Sequence, residues 1–177
     1  ITPQIFKVWM EILSEFKNSI LWLSEQNSEG VENIKLQAKK FNINTDRLFF
    51  SKKILDHDEH LSRIKLCDLY LDTFPYGSHS AACDILWSET PIVTLFGESF
   101  ASRACYSILK TIQIEELATN TVLTYKSKIL ELSNDKNKLL NLRKVIGKNK
   151  GKFFNPKKYT LDLENIFLKI MKNDLEH

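Results

Sequence analysis

The chain has 177 residues, 43% of them apolar and 27% charged, and a net charge of only +3. That balance describes one soluble globular domain large enough to bury a core. With no run of about 18 apolar residues, the chain encodes neither a membrane span nor a signal peptide, and a cytoplasmic location is expected. The first residue, Ile1, already lies inside a helical pattern, and Leu175-Glu176-His177 reads as the remnant of an affinity tag. A single domain over residues 1–174, cut from a longer polypeptide, is therefore the expectation, with 175–177 outside it. Cys67, Cys83 and Cys105 fall in apolar segments without CxxC spacing, which predicts buried thiols rather than disulfides or a zinc site.

In chain order, Ile5, Phe6, Trp9, Ile12, Leu13 and Phe16 recur at helical spacing, and SILWL (19–23) follows as a short buried strand. A polar turn, SEQNSEG, leads to an amphipathic stretch from Val31 to Phe41 and then to a second strand, RLFF (47–50). A helix is predicted from Asp56, its capping residue, to Cys67; LYLD (69–72) is a third strand, and His79 to Ser88 a helix. PIVTL (91–95) is a fourth strand, and Ser99 to Thr111 a helix. Beyond about residue 113 the strand signal ends and three helical segments follow, broken between Gly147 and Pro156. Short apolar strands alternating with longer helices predict an α/β, Rossmann-like fold: a parallel sheet with helices on both faces and a helical C-terminal extension. Trp22 and Trp87 sit in apolar segments and are expected in the core. No internal repeat or low-complexity segment is present.

Charge is unevenly spread, with 13 Lys/Arg against 4 Asp/Glu between Lys126 and Lys172. These cations share their segments with an apolar stripe (Ile129, Leu132, Leu139, Leu142, Val145) and lack interleaved aromatics. They read as a solvated helix face rather than a nucleic-acid surface.

In parallel α/β sheets ligands bind beyond the carboxyl ends of the strands, where loops enter helix N-termini. Two such loops carry chemistry here. DTFPYGSHSAACDILW (72–87) runs from a strand end through a Pro/Gly turn into a helix. Gly77 permits close approach, and the small residues Ser78, Ser80, Ala81 and Ala82 open the helix, so that its free amides and positive dipole end suit an anion. Asp84, four residues beyond Ser80, lies on the same helix face and suits the two hydroxyls of a ribose. An ordinary capped helix would explain the same residues. The second loop supplies His57, His60 and Arg63 at three-residue intervals on one face. HxxH without a third ligand at a metal-binding interval does not make a metal site, and stacking or hydrogen bonding to a base competes with a plain surface role.

The blocks ILWLSE, RLFFS, FFNPKKYTLDLENIFLKI and, above all, DEHLSRIKLCDLYLDTFPYGSHSAACDILWSETPIVTLFGESFASR decide between these readings. In that order they resemble the C-terminal half of the GT-B catalytic core shared by O-GlcNAc transferase, the plant SPINDLY proteins and their bacterial relatives. The resemblance implies a donor-binding lobe of an inverting enzyme that moves GlcNAc or another hexose from a UDP-sugar to a protein Ser/Thr side chain, without an obligatory metal or other cofactor. By that resemblance His60 stacks near the base, Arg63 borders the base pocket and Asp84 takes the ribose. The amides and hydroxyl at His79, Ser80 and Ala81 would hold the diphosphate, and Glu98 and Arg103 of GESFASR would form a structural ion pair or loop anchor. A protein acceptor, an N-terminal catalytic lobe and tetratricopeptide repeats are the implied partners; nucleic acid and membrane are not.

Three departures stand out. His57 replaces the lysine of animal members, and Ser80-Ala81 replaces two threonines; the shorter hydroxyl and the missing one should each weaken or retune diphosphate contact by roughly 0.5 to 1.5 kcal/mol. A phosphate-binding lysine segment of the family would precede Ile1. No catalytic base is legible, and the lobe alone is expected to be inactive. A GDP-fucose-using SPINDLY-like enzyme and a non-catalytic nucleotide-binding or protein-interaction domain remain open as alternatives.

Overall fold

A computed structural model describes residues 1–25 and 27–174; the expected tag remnant lies outside the described residues. Helix α1 (Pro3–Glu15) starts on a Thr2 cap with proline in its first turn. It buries Ile5, Phe6, Val8, Trp9, Met10, Ile12 and Leu13: the helical stripe read from the sequence with Val8 and Met10 added, and without Phe16, which is half-buried at the position that follows the helix. Strand β1 (Leu21–Ser24) and strand β2 (Leu48–Ser51) flank α2 (Ser28–Lys40) and pair in parallel, Leu21 opposite Leu48. The polar turn is shorter than predicted because Asn27 caps α2 by accepting the Gly30 amide. Helix α3 (His57–Ile64) is capped by Asp56, as expected, but ends a turn earlier than predicted.

Strand β3 (Tyr70–Leu71), helix α4 (Ser80–Trp87), strand β4 (Ile92–Leu95) and helix α5 (Phe100–Thr111) continue the alternation. Strand β4 is buried at every position and lies at the centre of a second parallel sheet, ordered β3-β4-β5. Strand β5 (Ala118–Thr119) has no counterpart in the sequence reading: two residues carry no alternation to detect, yet they pair with Thr94 and Leu95. The parallel α/β class is as predicted, with the strands divided between a two-stranded and a three-stranded sheet.

The three C-terminal helices are α6 (Val122–Ser133), α7 (Lys136–Asn149) and α8 (Pro156–Asp174). Ile129, Leu132, Leu139 and Leu142 are buried as predicted, but Ile146 takes the inward position assigned to Val145, which is 39% exposed. Much of the basic excess is ion-paired. Lys126 reaches Glu11 and Glu15, both at 3.0 Å. Glu131 accepts from Lys128 and Lys138, which hold its carboxyl below the usual range. Helix α8 projects from the body: of its residues up to Lys172 only Leu163 is half-buried, and Leu161, Ile166, Phe167, Leu168, Ile170 and Met171 are bare.

Two core assignments need correction. Trp87 is 50% exposed and packs edge-on against Phe154 with Lys150 over its ring, and Trp22 is half-buried against Phe49. Of the three free cysteines only Cys105 is buried, and desolvation pushes its thiol far above the ordinary range. No helix among the described residues is long and apolar enough to cross a membrane.

Candidate functional site

Helices α3 and α4 pack side by side and run in the same direction, so that their N-termini face one edge, beyond the ends of β2 and β3. Two side-chain bonds hold the pair together at the far end: Ser88 Oγ donates to the Leu61 carbonyl at 3.2 Å, and Thr90 Oγ1 to that of Ile64 at 3.1 Å. This places His60 of α3 beside Asp84 of α4, with His60 Nε2 3.8 Å from Asp84 Oδ2 and both side chains 33% exposed. Arg63 contacts His60 Nδ1 at 3.2 Å while donating to the Lys52 carbonyl at 2.8 Å and Ser51 Oγ at 3.2 Å. A guanidinium has only donors. Nδ1 therefore accepts, the imidazole proton sits on Nε2, and that proton faces the Asp84 carboxylate. The result is an imidazole of fixed tautomer with an accessible ring and an accessible carboxylate beside it.

Sequence spacing placed His57, His60 and Arg63 together. The structure joins His60 and Arg63 to Asp84, whereas His57, at the first position of α3, is exposed and makes no hydrogen bond or ion pair among the described residues.

The start of α4 is unlike that of its neighbours. Helices α1, α2, α3, α5, α6 and α7 are each capped by a side chain (Thr2, Asn27, Asp56, Ser99, Thr121 and Asp135). At α4 the capping position is His79, whose side chain makes no capping hydrogen bond, and the next residues, Ser80 and Ala81, are exposed. His79 instead turns away: its Nε2 lies 3.1 Å from the Ala101 carbonyl, its ring stacks on Tyr76 at 5.0 Å, and Phe100 meets it edge-on at 5.5 Å. The first-turn amides of α4 are thus left without a side-chain acceptor, at the positive end of the helix dipole.

Gly77 and Ser78 act differently from the sequence expectation. The Ser78 amide and hydroxyl both donate to Asp72 Oδ1, at 2.8 and 2.7 Å, so neither faces outward as a free donor. Gly77 is required by internal crowding, since a Cβ there would stand 3.2 Å from Asp72 Oδ2. Asp72 is fully buried, where the sequence pattern has only the end of a strand; its signal is an acid followed by Gly and Ser five and six residues on. Glu98 and Arg103, expected as an ion pair or loop anchor, are both exposed, and their side chains form no ion pair or hydrogen bond among the described residues. Nor is any group of three or more His, Cys, Asp or Glu among those residues placed to hold a metal ion.

These features define a Rossmann-type α/β lobe with an uncapped helix N-terminus and a His-Arg-Asp cluster at the carboxyl edge of its strands. Comparison with known proteins places it further. Residues 1–163 match glycosyl transferase family 41, and the chain belongs to that family. It is 32% identical over 174 residues to the UDP-N-acetylglucosamine--peptide N-acetylglucosaminyltransferase of Caenorhabditis elegans, covering 97% of this chain and 15% of that protein. A probable enzyme of the same description, SPINDLY of Solanum lycopersicum, is 29% identical over 172 residues, covering 94% of this chain and 18% of that one. The chain thus spans less than a fifth of the length of either relative. The solved structure of a lysine-to-methionine mutant of the Thermobaculum terrenum O-GlcNAc transferase superposes with a TM-score of 0.90 at 24% identity, covering 98% of this chain and 34% of that one. It shares the fold.

Proposed function

We infer that this chain is the donor-binding lobe of an inverting protein glycosyltransferase that takes a hexose, GlcNAc in the first instance, from a UDP-sugar to a Ser/Thr side chain. The observation that carries this reading is the uncapped N-terminus of α4, standing one turn from Asp84 and beside His60. In this reading the diphosphate lies on the exposed start of α4 at His79, Ser80 and Ala81, the ribose hydroxyls bond to Asp84, and the base lies on His60. Arg63 holds that ring in one orientation. As the glycosidic bond breaks, negative charge grows on the diphosphate; amides already aimed at it and the helix dipole stabilise that charge without reorganisation. No metal is assigned to the step. The relatives' names supply the donor and acceptor class, and the bare apolar side chains of α8 support a second lobe of the parent polypeptide as the covering surface.

Calorimetric titration of UDP, GDP and ADP, repeated with Asp84→Ala and His60→Ala, tests the reading. UDP should bind selectively and each substitution should weaken it about tenfold, the loss of one good polar or stacking contact. Selectivity for GDP would transfer the assignment to a guanine-nucleotide donor. Equal weakness toward all three, with the parent polypeptide also silent, would leave a family member without a donor site.

A further inference from the structure

We propose that Asp72 is the positioning residue of the diphosphate site, holding the entry to α4 in its binding shape from beneath; the proposal rests on the reading of α4 given above. Asp72 follows β3, and its backbone is pinned on both sides. Its amide donates to the Val93 carbonyl at 3.0 Å, and its carbonyl accepts from the Tyr125 hydroxyl at 2.8 Å, which in turn accepts from Trp9 Nε1 at 3.2 Å. Burial pushes the Tyr125 phenol far above its ordinary value, so it remains a donor.

From that fixed base the carboxylate collects four donors. Oδ1 accepts from the Thr73 amide, the Ser78 amide and the Ser78 hydroxyl at 2.8, 2.8 and 2.7 Å, and Oδ2 from Thr94 Oγ1 at 2.7 Å. All four are neutral groups. Among natural side chains only a carboxylate of this length offers so many acceptor sites at one point, and burying it is tolerable because both of its oxygens accept hydrogen bonds. Three of the four bonds end on the loop from Thr73 to Ser78, and that loop leads directly into His79, Ser80 and Ala81. Gly77 lets the loop pass over the carboxylate, and its own amide is fixed to the Ala101 carbonyl at 3.0 Å. The direction in which the chain enters α4, and with it the aim of the first-turn amides, is therefore set by Oδ1. The Oδ2 bond to Thr94 ties the same carboxylate to the sheet and not to the loop.

This asymmetry gives the test. Affinities for UDP and for uridine, which has the base and ribose but no phosphate, are compared in the parent polypeptide for wild type, Ser78→Ala, Asp72→Ala, Asp72→Asn and Thr94→Val, with thermal stability recorded for each. Ser78→Ala and Asp72→Ala should lower the UDP-to-uridine affinity ratio by about fivefold or more, the effect of misaimed hydrogen bonds. Asp72→Asn should retain the ratio: its amide oxygen can keep the three loop donors while the Thr94 hydroxyl turns to accept from its NH2. Thr94→Val should lower stability and leave the ratio unchanged. A ratio unmoved in Ser78→Ala, whether or not Asp72→Ala folds, or one lowered equally by Thr94→Val, overturns the proposal. Wild type that binds UDP no better than uridine overturns the diphosphate reading itself and the positioning role with it.

Discussion

Helix α4 is held at its two ends by opposite means. Its entry is shaped by a fully buried carboxylate with short bonds to a loop wound around it. Its exit joins the buried Ser88 and Thr90 hydroxyls, bonded to α3 carbonyls, to contacts nearer the surface. There Glu89 adopts a left-handed backbone with φ 61°, and its amide bonds to the Leu86 carbonyl while that of Thr90 bonds to Ile85. The Glu89 carboxylate then pairs with Lys150 at 2.8 Å, and Lys150 also donates to the Trp87 carbonyl and covers the Trp87 ring at 5.1 Å. Glycine commonly fills such a position; here the strain is accepted and the side chain fastens the end of α7 to α4. A binding end built from buried bonds keeps one shape across solvent conditions, whereas an exit that leans in part on a half-buried ion pair is in part graded by salt.

That difference can be broken from either side. The largest effect is expected from Asp72→Ala, which strands four donors and should cost about 3 to 5 kcal/mol in chemical denaturation. Tyr125→Phe removes the bridge between Trp9 and the Asp72 carbonyl and should cost about 1 to 2 kcal/mol by the same measurement. At the other end Lys150→Met should cost only about 0.5 to 1 kcal/mol, and the loss should shrink at 1 M salt; a loss that ignores salt would mean that packing on Trp87, not charge, is what holds α7 there. Smallest of all, Glu89→Gly exchanges a half-buried ion pair for a relaxed backbone. Its melting temperature should correspond to a change within about 0.5 kcal/mol of zero.

The same contrast explains what could be read from the sequence. Elements with a period were legible: the stripe of α1, the strand β4, the Asp56 cap of α3 and the spacing that sets Asp84 one turn into α4. The pairing of His60 with Asp84 was reachable because both residues lie one turn into helices that follow strand ends, where ligand-facing loops gather. Strand β5 escaped because two residues have no pattern, and its place is decided by pairing to β4. Asp72 escaped for a different reason. One acid at a strand end looks like a solvated terminus, and only the folded loop shows that Ser78 and Gly77 are arranged for it and not for a ligand. Trp87 was misassigned because apolar neighbours in sequence do not guarantee apolar neighbours in space.

Helix α8 has a further consequence, for the lifetime of the separated lobe. A helix whose side chains up to Lys172 are exposed except at Leu163 is sustained mainly by its own propensity, which in water is marginal at this length. Its hydrogen bonds should open at far lower free energy than those of the core, exposing Lys157, Lys158 and Lys169 to a trypsin-like protease well before the body unfolds. Brief digestion should therefore trim the chain back to the region of Lys158 and leave the body from α1 to α7 intact, so that purification of the lobe by itself selects for its loss of α8.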